Sequence, residues 1–162
     1  MILLKDILYR VGIEQVVGST AVAVRGVEFD SRRVALNDVF VAIKGVLVDG
    51  HQFIKQACDQ GAIAIICEQF PEMIINGITY VQVRDASAAL AYIADNFYEQ
   101  PAKDLVLVGV TGTNGKTTVA TLLHQSFTKM GYAAGLLSTV ENRIGHEIIP
   151  ARRTTPGSLT IS

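Results

Sequence analysis

The run Leu105-Val106-Leu107-Val108-Gly109-Val110-Thr111 leads directly into Gly112-Thr113-Asn114-Gly115-Lys116-Thr117-Thr118, and no other stretch of the chain restricts its fold as strongly. Ahead of the glycines the residues are apolar at consecutive positions, the pattern of a parallel strand buried on both faces. Beyond them Val119, Leu122, Leu123, Phe127 and Met130 recur on one face of a predicted helix that ends at Gly131. A second strand is expected over 133–138, which completes one β-loop-α-β unit.

A glycine-rich turn between a strand and a helix N-terminus points several backbone N–H groups inward, and the helix dipole adds partial positive charge there. Gly112 and Gly115 let the backbone approach an anion and adopt positive φ. Lys116 is placed to reach β- and γ-phosphates, and the Thr117 hydroxyl to ligate Mg²⁺. The strict pattern G-x-x-x-x-G-K-[ST] asks for glycine at position 110, where this chain has valine; Gly109 and Gly112 lie to either side. A bland turn with a solvated lysine is the competing reading. Strand before, helix after and the G-K-T-T run together favour nucleotide phosphate binding by residues 112–118.

Composition narrows the remaining classes. With 49% hydrophobic residues among 162, the chain has enough apolar surface to offset its ordering entropy, which excludes disorder. A net charge of −1 removes the basic footprint of a nucleic-acid binder. Charged residues make up only 18%, below the usual ~25%, which implies buried strands or a packing partner. The apolar start Met1-Ile2-Leu3-Leu4 is broken by Lys5, Asp6 and Arg10, and no apolar run approaches the ~18 residues of a membrane span. Cys58 and Cys67 have neither metal-ligand spacing nor a disulfide-rich context, so they read as buried thiols in a reducing compartment. A cytoplasmic protein without a membrane span is expected.

Upstream of the loop, short strands alternate with helices. A short helix is expected over 3–10, closed by Gly12, and strands over 22–29, 39–43, 62–67 and 78–83. Asp30-Ser31-Arg32 forms a polar cluster at the end of the first, and Asp49-Gly50 marks a turn. One helix carries Phe53, Ile54, Ala57 and Cys58 on a face and stops near Gly61. Another is capped by Asp85, with Leu90, Ile93, Ala94 and Phe97 at helical spacing. Strands separated by helices argue for an α/β layer fold. Pro101-Ala102-Lys103-Asp104 punctuates the chain, dividing a first domain over 1–100 from a second over 105–162.

The loop Gly109-Val110-Thr111-Gly112-Thr113-Asn114-Gly115-Lys116-Thr117-Thr118 resembles the ATP loop of the Mur ligases, in which Val110 is a regular feature. Asp30-Ser31-Arg32, Asp38-Val39-Phe40-Val41-Ala42, Gly45 and Asp49-Gly50-His51-Gln52-Phe53-Ile54 fall in the order seen in that family's UDP-binding domain, and Ala57, Gly61 and Ala62 continue the pattern. Ser138-Thr139-Val140 and Thr154-Thr155-Pro156 resemble the MurE type. Arg153 stands where some relatives have asparagine, and Gly157 where many have aspartate.

The resemblance implies an N-terminal α/β UDP-substrate domain followed by the first β-loop-α-β unit of a P-loop ATPase domain. It implies an ATP-dependent amide ligase, with ATP and Mg²⁺, that adds meso-diaminopimelate or L-lysine to UDP-N-acetylmuramoyl-L-alanyl-D-glutamate through an acyl phosphate, in peptidoglycan precursor synthesis. Ser31 resembles a residue that contacts the uridine diphosphate, and Thr154 and Thr155 the pair that meets the muramoyl-dipeptide. Lys116 takes the catalytic role and Thr117 the metal-ligating one. The ligase's remaining domains are expected beyond Ser162, so that residues 1–162 alone are inactive and expose apolar surface after about Leu105.

Several alternatives stay open. The chain could belong to a D-alanyl-D-alanine-adding relative, a small kinase or GTPase, or a non-catalytic nucleotide-sugar-binding module, although no D-x-x-G motif follows the loop. Asp30 and Arg32 fit either a local ion pair or a ligand contact. His51 reads as a capping or packing residue, and His124 and His146 stand beside no nucleophile. The five tyrosines are dispersed, so no stacking platform for bases is visible.

Overall fold

The computed structural model describes residues 2–45, 48–145 and 147–150. The chain divides into two compact units, Met1–Asp104 and Leu105–Ile161.

The first unit is built around two central strands whose residues are all buried. Strands β5 (Asp38–Val41) and β6 (Ala64–Cys67) are buried throughout, so both faces of the sheet are covered. Adding β4 (Gly26–Glu28), β7 (Thr79–Val83) and β2 (Ile13–Val17) gives five strands in the order β2-β7-β6-β5-β4. The run β4 to β7 is parallel, and β2 pairs antiparallel with β7 at the edge. On one face Phe40, Ala42, Ile65, Cys67 and Tyr80 pack with Ile54, Ala57 and Cys58 of helix α2 (Ile54–Asp59). Side-chain alternation sends Val39, Val41, Ile66 and Val81 to the other face, and all four are buried. Helix α3 (Ala86–Phe97) packs against β4 and against the single-turn helix α1 (Leu4–Ile7). Its cap is the expected one: Asp85 accepts from Ala88 N–H at 2.9 Å.

The strand expected over 22–29 is split in two. Strand β3 (Ala23–Val24) pairs with β1 (Ile2–Leu3), whereas β4 turns to β5. The break falls at Arg25, whose guanidinium reaches the buried Asp38 carboxylate at 3.0 and 2.8 Å. The helix expected over 3–10 is only one turn long, because Ile2 and Leu3 are drawn into pairing with β3. Edge strand β2 escaped the sequence reading: four of its five residues are exposed, so it carries no clean alternation.

In the second unit, helix α4 (Lys116–Lys129) forms where expected. The buried parallel strand over 105–110 does not. Leu105, Val106, Leu107 and Val108 are 67, 95, 90 and 60% exposed and pair with nothing among the described residues. Strand β8 (Gly135–Leu137) instead pairs antiparallel with β9 (Glu141–Ile144), which pairs with β10 (Glu147–Pro150). A parallel strand needs a neighbour across a helical crossover, and the nearer antiparallel partner captures β8. Helix α4 packs against β8, where Leu136 is buried, but Val119, Leu122, Leu123, Phe127 and Met130 are all exposed, and His124 is its buried residue. This is the apolar exposure expected after Leu105.

No helix among the described residues is long and apolar enough to cross a membrane. Both cysteines are free and buried, and burial pushes the Cys67 thiol up to about 12, as suits an inert apolar filler.

Asp38 holds the β4–β5 pairing. It is fully buried, accepts both guanidinium bonds from Arg25, and accepts Ala35 N–H at 2.9 Å. Replacing it by alanine leaves that amide without its acceptor, while the exposed Arg25 guanidinium turns to water. Asp38→Ala should therefore cost about 1–3 kcal/mol through the unsatisfied amide, read as a lower urea midpoint at unchanged m-value.

Candidate nucleotide-binding site

The glycine-rich loop delivers the chain into α4 through Gly115, which sits at φ +78° as the residue before the helix. An L side chain in that left-handed conformation costs roughly 1–2 kcal/mol, so glycine is the natural choice. A Cβ there would meet nothing within 4 Å, and the same is true at Gly109, so the space over the loop is open. The helix begins without a side-chain cap. Its first-turn amides have no carbonyl one turn back, and they sit at the positive end of a fourteen-residue helix.

Lys116, the first helical residue, folds back over the loop. Its ammonium donates to the carbonyl oxygens of Gly112 and, at 3.2 Å, of Thr113. The lysine thus holds the loop's shape and keeps a positive charge beside the open amides. Thr117 is half-buried on the next position, while Thr113, Asn114 and Thr118 are exposed. Open amides, dipole and ammonium make a fitting receptor for a polyanion such as a nucleotide's phosphates. No group of three or more His, Cys, Asp or Glu side chains among the described residues is arranged to hold a metal ion. A divalent cation here would rest on a hydroxyl such as that of Thr117 and on phosphate oxygens.

In the first unit, the parallel strands end on one edge of the sheet, and their loops collect there. Ser31 follows β4 at the start of a 3₁₀ turn, is buried, and donates its hydroxyl to Gln56 Oε1 of α2 at 3.0 Å. Asp30 caps the turn by accepting Arg32 N–H, and the Arg32 guanidinium returns to it at 2.9 and 2.6 Å. The local ion pair is therefore the arrangement found. Those bonds lower the Asp30 carboxyl to about 2.

His51 does more than cap. Its Nδ1 lies 2.7 Å from Asp49 Oδ1, while Nε2 accepts the backbone N–H groups of Glu68 at 3.0 Å and Gln69 at 3.3 Å. The sequence signal for the first contact is Asp49-x-His51; nothing local signals the second, which spans seventeen residues. His124 points Nε2 at Ala134 O, 3.2 Å away, and its buried Nδ1 has no partner among the described residues. Two surface grooves, of about 360 and 470 Å³, are lined by other residues, including Tyr9 and Asn96 in one and Glu14 and Arg84 in the other. Thr154 and Thr155 lie outside the described residues, as do Arg153, Gly157 and His146.

A glycine-rich loop, an uncapped helix and a lysine at its first position are the features of a phosphate-binding loop. Residues 23–98 match the Mur ligase family, catalytic domain, and residues 110–162 match the Mur ligase middle domain. The chain belongs to the Mur ligase family. That membership sets aside the small-kinase and GTPase alternative.

Among its relatives, the UDP-N-acetylmuramoyl-L-alanyl-D-glutamate–2,6-diaminopimelate ligase of Cytophaga hutchinsonii is 47% identical over 160 residues, 98% of this chain and 33% of that protein. The protein of the same name from Bacteroides thetaiotaomicron is 46% identical, over 99% of this chain and 33% of its own length. The chain thus spans about a third of the length of the curated relatives it matches. A solved UDP-N-acetylmuramoyl-L-alanyl-D-glutamate–2,6-diaminopimelate ligase shares the fold, with a TM-score of 0.74 at 22% identity over 99% of this chain and 32% of that one. The MurF ligase of Thermotoga maritima, solved in complex with ADP, aligns with a TM-score of 0.51 at 36% identity over 65% of this chain and 23% of that one.

The Asp30–Arg32 pair gives a direct check of the turn that carries Ser31. A carboxyl lowered to about 2 is charged in the fold at any pH above that. Its contribution is present above the ordinary carboxyl range and is lost as pH falls through about 2. In a ¹³C NMR titration of the Asp30 carboxyl, Arg32→Ala should move the midpoint up toward that of an unpaired aspartate.

Proposed function

We propose that this chain is the nucleotide-handling part of an ATP-dependent ligase that joins 2,6-diaminopimelate to UDP-N-acetylmuramoyl-L-alanyl-D-glutamate in peptidoglycan precursor synthesis. The observation that carries the proposal is the open, uncapped start of α4 with Lys116 folded over its loop, in a chain whose relatives of that name match it almost end to end. Those names favour 2,6-diaminopimelate over L-lysine as the amino acid added.

In this reading residues 112–118 hold the phosphates of ATP. The amides at the start of α4 take β-phosphate oxygens, and the Lys116 ammonium neutralises charge at the phosphoryl group in transfer. The Thr117 hydroxyl is the chain's ligand to Mg²⁺, which supplies further charge neutralisation when bound. The first unit, over residues 1–100, holds the other nucleotide. Ser31 meets the uridine diphosphate from its turn after β4, and Thr154 and Thr155 meet the muramoyl-dipeptide. Loop and turn then act by positioning, which lowers the entropy cost of bringing the two substrates together. The reaction is assigned to the cytoplasm, where both nucleotides are available.

The test separates the two nucleotide sites. In the whole ligase carrying this sequence, Lys116→Ala should lower kcat/KM for ligation by about 10²–10³-fold or more, measured by coupled ADP release. The affinity for UDP-muramoyl-dipeptide, measured by calorimetry, should stay within about twofold, because in this reading Lys116 serves the ATP phosphates and Ser31 the uridine nucleotide. Ligation at the original rate would overturn the assignment of the loop. Calorimetry also addresses the alternative of a non-catalytic nucleotide-sugar module, for which tight UDP-muramoyl-dipeptide binding would occur in a whole protein that never turns over ATP.

A further inference from the structure

We propose that His51 is a positioning residue for the uridine-nucleotide site, acting through α2 on the turn that carries Ser31. The proposal rests on the reading of the first unit as the uridine-nucleotide domain. It concerns a side chain that contacts no reacting group in that reading.

The geometry is that of a tie between two halves of the sheet edge. His51 lies in the 3₁₀ turn Gly50–Phe53, which runs without a break into α2. On its own side it is fixed to Asp49, whose Oδ1 accepts both the His51 backbone N–H at 2.9 Å and the ring Nδ1–H at 2.7 Å. Across the edge, Nε2 accepts two backbone N–H groups at the end of β6. Nε2 must therefore carry a lone pair, which leaves the ring proton on Nδ1, where the carboxylate accepts it. One ring thus satisfies donors and an acceptor belonging to two different loops.

Both loops lead on to structure. Glu68 Oε1 accepts Ala86 N–H at 3.1 Å, at the start of α3, and Glu68 O accepts the Gln82 amide at 3.0 Å from β7. In the other direction, Gln56 lies five residues after His51 and accepts the Ser31 hydroxyl. At the entry to the turn, Gly50 N–H donates to Ile43 O at 2.8 Å, and a Cβ on Gly50 would lie 2.6 Å from that oxygen, so the chain enters α2 closely packed. Loss of the His51 bridge removes the tie between α2 and the end of β6, and its effect reaches Ser31 through Gln56. The Ser31 turn ends up anchored to β6 and β7 through one imidazole.

The experiment compares a substitution that removes the acceptor with one that replaces it. In His51→Leu, Glu68 and Gln69 lose their partner. In His51→Gln, Oε1 can reach the place of Nε2 and accept the same amides. With UDP-muramoyl-dipeptide as the calorimetric probe, His51→Leu should weaken binding about tenfold, the effect of a misplaced contact, and His51→Gln should return it to within about threefold of the parent. Backbone amide exchange at Glu68 should speed up in the leucine variant and recover in the glutamine one. Should His51→Leu fail to fold, His51→Asn, too short to span the gap, takes its place with the same thresholds. Unchanged affinity in the leucine or asparagine variant, or equal losses in these and in the glutamine variant, would overturn the proposal. If the parent itself binds no UDP-muramoyl-dipeptide, the assignment of the first unit fails and the positioning role falls with it, a result distinct from a binding parent with an indifferent His51.

Discussion

A single carboxylate inside the first unit holds much of its architecture in place. Asp38 is completely buried, and opposite it stands Gly26, where a Cβ would come within 2.9 Å of Oδ1. A side chain at the partner position would push on that carboxylate, and the two bonds from Arg25 and one from Ala35 satisfy the buried charge. The β4–β5 register follows, and a register shift of one residue would turn every side chain of β4 to the opposite face. Because β4 ends in the Asp30–Ser31–Arg32 turn, the carboxylate also decides where that turn stands on the sheet edge.

The same edge gathers what the unit has to offer a ligand. Parallel strands all finish on one side, so the turns after β4, β5, β6 and β7 meet without any one of them being long. Ser31 with Gln56, His51 with Glu68, and Glu68 with the start of α3 form successive ties along it. The second unit is arranged differently, with an uncapped helix and a lysine held on loop carbonyls. In one unit side chains fix loops; in the other a helix start leaves backbone amides open.

Sequence patterns made the local elements legible. Apart from Asp38 the central strands β5 and β6 are apolar, α3 announces itself by the Asp85 cap and helical spacing, and α4 begins where the glycines end. The exposed edge strand β2 and the polar ribbon β9–β10 carry too little alternation to be seen. The run at 105–108 looked like a buried strand because composition reports the environment a segment suits, whereas pairing depends on a neighbour, and none stands beside it among the described residues. The phosphate loop could be read because all its parts are contiguous. The His51 bridge could not, because its partners come together only when β5 and β6 lie side by side.

By itself, then, the chain's order of residues determined the phosphate loop, its lysine, the α/β alternation and the resemblance to the Mur ligases, since each depends on spacing along a few neighbouring positions. Tertiary structure decided which apolar segments are buried, that the 22–29 strand breaks at Arg25, that Ser31 is tied to Gln56, and that one imidazole joins two loops. The division has a physical reason. Helix starts and glycine turns are governed by sterics and hydrogen bonds within a few residues. Burial, register and the partner of a buried polar group depend on what the rest of the chain brings alongside.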